Sequence, residues 1–461
     1  MTFKYSILSL MLVGLIGCSS TSDLQYSEQA TDTTNQTSIT LVEKYISEHQ
    51  QASDATEEPL LITDLVNIPE LSQYIETALE SSPSLQQSIS ALKILYAQKG
   101  YTDSDRIPSV DATFKAQDEE DSDETYTGDL TVSWELDLWS KISADVAAAD
   151  KDIANSQASL QETQDVLVAN IMQAWLKISL NQQLVEIEKR RLSAYKNNET
   201  LVLERYRAGL GSLEDLDNAK TNSSSTLSTL AEYEENLEQS KRDLILLTGQ
   251  WSGEEQQLNI PSQFPDVLNP LSEMSDQTLA RRPDLKAAFY SIEAESLRTE
   301  SAYKALLPSI SLSASLTDAA TSPSEALFTN PLWSLLGQVS APIFQGGKLR
   351  ASAKMQELTT EKAFWEYQDT LLTAVNEVED AIGQEYALTK QQDHLGDAYE
   401  SALRSFNTYE EKYRQGLVDI LDLLTIQQQT YDKEAQLVNA TYNRLVNRID
   451  LGLALGLGTK A

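Results

Sequence analysis

Leu130-Thr131-Val132-Ser133-Trp134-Glu135-Leu136-Asp137-Leu138-Trp139-Ser140-Lys141 changes its period at its end. Leu130, Val132, Trp134, Leu136 and Leu138 alternate with Thr131, Ser133, Glu135 and Asp137, the pattern of a strand with one apolar and one polar face. From Lys141 to Ala208 the chain has neither Pro nor Gly, and Ile142, Val146, Ala149 and Ile153 recur at helical spacing. That run predicts one helix of roughly 100 Å, at about 1.5 Å per residue. A coiled-coil tube accommodates such a helix; a single soluble domain does not.

Working outward, three further segments alternate in the same way. Val110, Ala112, Phe114 and Ala116 form one set. Ile310, Leu312, Ala314 and Leu316, between Ser309, Ser311, Ser313 and Ser315, form another. Trp333, Leu335, Gly337, Val339, Ala341 and Ile343 form the last. The expected strands are 107–117, 128–138, 308–317 and 332–344. Each is long enough to cross a bilayer as a tilted strand. The acidic run Asp118-Glu119-Glu120-Asp121-Ser122-Asp123-Glu124 suits a solvated hairpin tip or a charged loop. Expected long helices are 141–208, 213–248, 347–415 and 417–455.

The chain also repeats itself. Tyr206-Arg207-Ala208-Gly209-Leu210 returns as Tyr413-Arg414-Gln415-Gly416-Leu417, and at the same spacing Asp215-Leu216 matches Asp422-Leu423 and Gly249 matches Gly456. At a shorter spacing Pro83 matches Pro283 and Pro108-Ser109 matches Pro308-Ser309. The spacing changes between Pro308 and Val339, so an insertion falls near Ala319 to Asn330, in a loop. A period of about 200 residues is a duplicated subdomain, not a solenoid of short units. The organisation read from this is a leader at 1–17, an N-terminal segment at 18–70, and strand-strand-helix-helix repeats at 71–258 and 259–461.

Composition removes other classes. The 461 residues carry 70 Asp and Glu against 35 Lys and Arg, a formal net charge of −35. That repels phosphate backbones and argues against a nucleic-acid partner. One Cys and two His (His49 and His394) build neither a metal site nor a disulfide framework. No GxSxG, HExxH or phosphate-binding Gly loop is present, so the chain is not expected to be an enzyme.

The N-terminus reads as an export signal, with Lys4 before a short apolar stretch from Ile7 to Ile16. It ends in Leu15-Ile16-Gly17-Cys18, which resembles a bacterial lipobox; an ordinary signal peptide with a chance Cys is the alternative. The resemblance implies cleavage before Cys18, a covalent lipid on Cys18 as the only prosthetic group, and, with Ser19 following, sorting to the outer membrane.

Four strands cannot close a barrel in one chain, because an open edge in lipid leaves backbone groups unsatisfied. They predict either a non-membrane sheet or an oligomeric barrel, of twelve strands from three chains or sixteen from four.

With these features in order, the chain resembles the TolC-type outer-membrane efflux proteins, and within them the lipoprotein branch that partners resistance-nodulation-division pumps. The carriers are Cys18, the paired Pro108 and Pro308, Trp134-Glu135-Leu136-Asp137-Leu138-Trp139, Ala341-Pro342-Ile343-Phe344-Gln345-Gly346-Gly347-Lys348-Leu349-Arg350 and the two Tyr-Arg-x-Gly turns. The resemblance implies a mostly α fold with a transmembrane β part. It implies a homotrimer with a twelve-stranded β-barrel in outer-membrane lipid, continued by an α-helical barrel through the periplasm. Its partners would be a periplasmic adaptor and an inner-membrane pump. Pro108, Pro308, Trp139, Gly346 and Gly347 would mark the strand-to-helix transitions. Ser140 stands where a Gly is usual, and a modest change in the bend is expected there.

The turns at Tyr206, Arg207, Gly209 and at Tyr413, Arg414, Gly416 fall between the long helices. The glycines fit helix C′ positions. The resemblance adds adaptor docking at these tips. Just beyond lie Asp215, Asp419 and Asp422. Ser212-x-x-Asp215 and Asp419-x-x-Asp422 read as capping boxes. The other reading is a periplasmic gate, since any axial carboxylate appears three times in a trimer and makes a cation-attracting ring. Asp422 best matches the family's gate position, while Thr425 replaces a frequent second acid. The function implied is a passive exit duct of a tripartite efflux system. A protein-secretion duct of an ABC exporter and a pore-less coiled-coil lipoprotein are the rivals.

Overall fold

The computed structural model describes residues 23–49, 61–66, 68–120, 123–250, 260–273 and 278–459. Cys18 lies outside the described residues. Apart from single turns at Ile62–Leu65, Pro270–Glu273 and Thr278–Arg281, the described helices are α1 (Asp23–His49), α2 (Pro69–Ser81), α3 (Pro83–Ser104), α4 (Lys141–Arg207), α5 (Leu213–Leu247), α6 (Pro283–Lys304), α7 (Lys348–Arg414) and α8 (Ile420–Ala454). The strands are β1 (Ser109–Gln117), β2 (Thr125–Glu135), β3 (Ser309–Ala320) and β4 (Leu332–Ser340). Lengths match in pairs: α3 and α6 have 22 residues, α4 and α7 have 67, and α5 and α8 have 35. No described helix is long and apolar enough to cross a membrane.

The ends of the elements depart from the sequence reading by a few residues, for local reasons. β1 and β3 start after Pro108 and Pro308, which have no N–H to give a ladder. β4 stops at Ser340, before Pro342, not at residue 344. β2 runs 125–135 rather than 128–138, because Thr125 and Thr127 pair with Gln117 and Lys115, while Asp137 leaves the ladder. α8 starts at Ile420 rather than 417, since the Leu417 amide closes the preceding helix on the Lys412 carbonyl at 2.9 Å.

The chain divides into two compact units, each drawing on both sequence halves. The first takes the described residues up to Thr34, with Ala91–Gln157 and Leu285–Thr370. It holds one antiparallel sheet in the order β1-β2-β3-β4. Register fixes its faces. Val110, Val132, Ala314 and Leu335 share one row, and Ala112, Leu130, Leu316 and Trp333 the next. The opposite face carries Asp111, Thr131, Ser315 and Ser334 in one row, and Glu135, Ser311 and Gln338 in another. Every residue of β1 and β4 is exposed, so both edges of the sheet are bare.

The second unit takes Asn35–Ser90, Ala158–Asp284 and Leu371–Ala461. Its core centres on Trp175, 1% exposed, with Ile171, Met172, Leu176 and Ile178 on α4 packed against Leu71, Ile75, Leu85 and Leu244. Helix α1 buries Ala30, Thr34, Ser38 and Leu41, one stripe at helical spacing made mostly of small residues. In the first unit Tyr26 meets Phe364, and the Thr34 hydroxyl meets the Tyr367 hydroxyl.

Candidate functional site: channel wall, helix junctions and closing tip

The sheet is the candidate for a channel wall. Its polar face holds Asp111, Asp129 and Glu135, with Lys115 the one cation on β1. Thr131 and Thr317 each donate to the Asp129 carboxylate at 2.7 Å. The apolar face is bounded by aromatics, with Phe114 and Tyr126 near one end and Trp134 near the other. A strand of 9 to 12 residues tilted by about 40° spans roughly the 25 Å of an outer-membrane apolar band.

The junction from β2 to α4 is tightly held. Asp137 accepts from the amides of Ile142 (3.0 Å) and Ser143 (2.8 Å) and from the Ser143 hydroxyl (2.6 Å), capping α4. The Trp139 indole donates to the Pro308 carbonyl at 2.6 Å, and the Trp134 indole to the Arg106 carbonyl at 2.9 Å. Ser140 has φ 58°, against 61° at Gly346 and 86° at Gly347. The serine therefore takes the left-handed backbone that glycine supplies in the other half. Among the described residues the second junction has no matching side-chain anchor, and Ile343 and Phe344 there are exposed.

At the tip both turns close in the same manner. Gly209 (φ 70°) donates to the Tyr206 carbonyl and Leu210 to that of Arg205; Gly416 (φ 74°) donates to Tyr413 and Leu417 to Lys412. This is the Schellman pairing, which needs a left-handed C′ residue. Leu210 and Leu417 project from the turns, both exposed. Arg207 is exposed, and Arg414 is paired to Glu410 at 2.8 Å. Behind the turns Tyr195, Val202, Leu216, Ala219, Ile420, Leu423 and Leu424 form an apolar cluster. Tyr413 packs against that cluster while Tyr206 is exposed, so the two tyrosines are not equivalent.

The three acids also differ. Ser212 and Asp215 form a reciprocal capping box, with bonds of 3.2 and 3.0 Å, and the Ser212 bonds hold the Asp215 carboxyl below the usual range. Asp419 caps its own helix through the Ile420 amide. The expected box between Asp419 and Asp422 does not form, because the Asp419 carboxylate is spent on the first amide rather than on that of Asp422. Asp422 is exposed, with no intrachain hydrogen bond or ion pair among the described residues. The Asp137 cap, the left-handed Ser140 and the ion pairs behind the tip escaped the sequence reading. Those pairs are Arg190–Glu434 at 2.6 Å and Arg191–Asp432 at 2.8 Å. A capping signal was present in Asp137; nothing in the sequence marked the pairing partners.

A sheet apolar on one side and polar on the other, bare at both edges and joined to Pro-free helices of 67 residues, defines an outer-membrane channel component. The chain belongs to the outer membrane efflux protein family, whose sequence profile matches residues 74–250 and 274–457. It is an outer-membrane efflux channel protein, and its place is the outer membrane. The chain is 24% identical to SilC of Salmonella typhimurium, named a probable outer membrane lipoprotein, over 85% of this chain and 86% of that one. It is 25% identical to outer membrane protein OprJ of Pseudomonas aeruginosa, over 84% of each. It is 24% identical to cation efflux system protein CusC of Escherichia coli O157:H7, over 83% of this chain and 85% of that one. The fold matches the crystal structure of the Campylobacter jejuni CmeC outer membrane channel with TM-score 0.79 at 21% identity, covering 88% of this chain and 89% of that one. It matches VceC from Vibrio cholerae with TM-score 0.76 at 22% identity, covering 87% and 99%.

Proposed function

We propose that three copies of the chain form the exit duct of a tripartite efflux system. Four strands from each would close a twelve-stranded barrel, apolar face to lipid and polar face to a water-filled lumen. The repeats at 71–258 and 259–461 would each supply half of a subunit's share of the barrel and of the helical tunnel in the periplasm. The 18–70 segment would run along the tunnel exterior, anchored by a lipid on Cys18. Small molecules would pass through without energy input from this chain, delivered by an inner-membrane pump of the resistance-nodulation-division type. A periplasmic adaptor would dock at the two tip turns, on Tyr206, Arg207, Tyr413 and Arg414, with Gly209 and Gly416 shaping the turns. SilC and CusC, a named lipoprotein and a named cation efflux protein, support the lipid anchor and the pump-linked role.

The single observation that carries the duct is the sheet, whose polar face crosses all four strands, interrupted on β4 by Leu332 and Leu336, while both edges lack partners among the described residues. Asp422 is the favoured gate acid, because its carboxylate has no partner among the described residues; Asp215 and Asp419 serve first as caps. Three carboxylates around a narrow axis attract cations and bind divalent ions. Conductance of the purified protein in planar bilayers tests both parts. A cation-selective pore, with weaker divalent block in Asp422→Ala, is expected. Absence of conductance even in tip-opened variants overturns the duct. Unchanged block in Asp422→Ala reduces that residue to a first-turn acid.

A further inference from the structure

We propose that the β3–β4 connection, residues 321–331, lies against the outer leaflet of the outer membrane, with Leu327 and Phe328 as its lipid-contacting side chains. The proposal rests on the barrel reading above. Register places Phe114, Gly128 and Asp318 in one row on the face that also carries Leu130, Leu316 and Trp333. That is the lipid side of the wall. A glycine beside an aspartate is a defect there, since Gly128 contributes no side chain and Asp318 contributes a carboxylate.

The connection covers both. The Ala326 carbonyl sits where a Cβ on Gly128 would stand, and Ala326 is fully buried. The Asn330 amide donates to the Asp318 carboxylate at 2.9 Å, and Asp318 is buried. The loop is therefore folded down over the outer surface of the wall, not across the mouth of the lumen. The residues after the buried Ala326 are large, apolar and exposed: Leu327 at 63% and Phe328 at 42%.

Two observations set the level and the occupant. Phe114 and Tyr126 stack on the same face at this end of the sheet, centroids 6.3 Å apart, as aromatics do at the headgroup boundary. Gly128 and Asp318 lie on β2 and β3, the inner strands of the sheet, whereas a second copy would join at β1 or β4. Lipid, and not a neighbouring subunit, faces the loop.

Nitroxide labels at Leu327→Cys and Phe328→Cys test this in the full-length protein, reconstituted in phosphatidylcholine–phosphatidylglycerol vesicles. The unsubstituted chain, whose one cysteine is Cys18, is treated in parallel as background. Leu335→Cys on the lipid face of β4 and Glu119→Cys in the β1–β2 connection are the references. The ratio of collision with oxygen to collision with a water-soluble nickel chelate should be several-fold higher at 327 and 328 than at 119, and below that at 335. A ratio equal to that at 119 places the loop in water and overturns the proposal. Protection from both reagents means a protein neighbour covers it and also overturns it. A high ratio at 335 in either case leaves the barrel intact; an aqueous 335 removes the barrel reading itself.

Discussion

Ser140 and Gly346 hold nearly the same backbone angle, φ 58° and 61°, with opposite residue choices, so reciprocal substitutions should have opposite effects. A left-handed conformation costs a residue with a Cβ about 1–2 kcal/mol. Ser140→Gly removes that cost. Its backbone bonds are kept: Ser140 donates to Asp137 at 3.3 Å, and its carbonyl accepts from Ala144 at 3.0 Å and from the Lys304 ammonium at 3.2 Å. Glycine returns part of the gain as unfolded-chain entropy, about 0.5–1 kcal/mol. The net expectation is a stabilisation of about 0.5–1 kcal/mol per chain. Gly346→Ala meets no atom within 4 Å of the added Cβ, so the backbone cost of about 1–2 kcal/mol, less about 0.5–1 kcal/mol of unfolded-chain entropy that alanine recovers, leaves a loss of about 0.5–1 kcal/mol. Denaturant unfolding of the detergent-solubilised protein, followed by tryptophan fluorescence, measures both. A Ser140→Gly protein less stable than the parent by about 1 kcal/mol or more would refute the reasoning. It would mean that the serine hydroxyl does something for the junction that this structure does not contain.

Trp175→Ala empties the centre of the second unit's core and should cost about 3–5 kcal/mol by the same assay, with little change in the channel's conductance when folded. Gly249→Ala should be worse than Gly416→Ala. Both are left-handed, but at Gly249 the Cβ also collides with the Ser81 carbonyl, so protein yield and thermal midpoint should rank accordingly. Gly416→Ala should instead loosen the tip, read as faster trypsin cleavage at Lys412 and Arg414. The packed surroundings of the Asp450 carboxyl push it up, although the residue keeps an exposed face and the Gln173 amide at 2.7 Å opposes the shift. A raised acid costs stability when ionised. Thermal midpoints should therefore gain a contribution as pH falls through its folded pKa, and Asp450→Asn should remove that contribution.

What the sequence disclosed was whatever repeats over many residues. Period-two alternation located the strands, because one slip would turn every side chain to the wrong face. The absence of Gly and Pro located α4. Gly209 and Gly416 announced the turns, because a Schellman closure needs a left-handed residue. Helix α1 was hidden for a physical reason: its buried stripe is Ala30, Thr34, Ser38 and Leu41, mostly small or hydroxylated, which a hydrophobicity pattern does not flag. Ser140 was hidden because its conformation is imposed by the Asp137 cap and the Trp139 anchor, not by its own preference. The tip acids looked alike as a sequence. Only the hydrogen bonds distinguish the caps, Asp215 and Asp419, from Asp422.

The bare edges of the sheet carry a further consequence, for biogenesis. β1 and β4 each present nine residues of backbone with half its donors and acceptors turned outward. Water satisfies those groups; hydrocarbon does not, at several kcal/mol for each group left unpaired. A lone chain is thus barred from the bilayer by its own fold. If three copies close the barrel as proposed, subunits would have to meet while still in water or at the membrane surface, and closure of the ring would become the licence for insertion. Appearance of the mature channel should then depend steeply on the concentration of unassembled chain, and a scarce or slowly exported subunit should stall before entering the membrane.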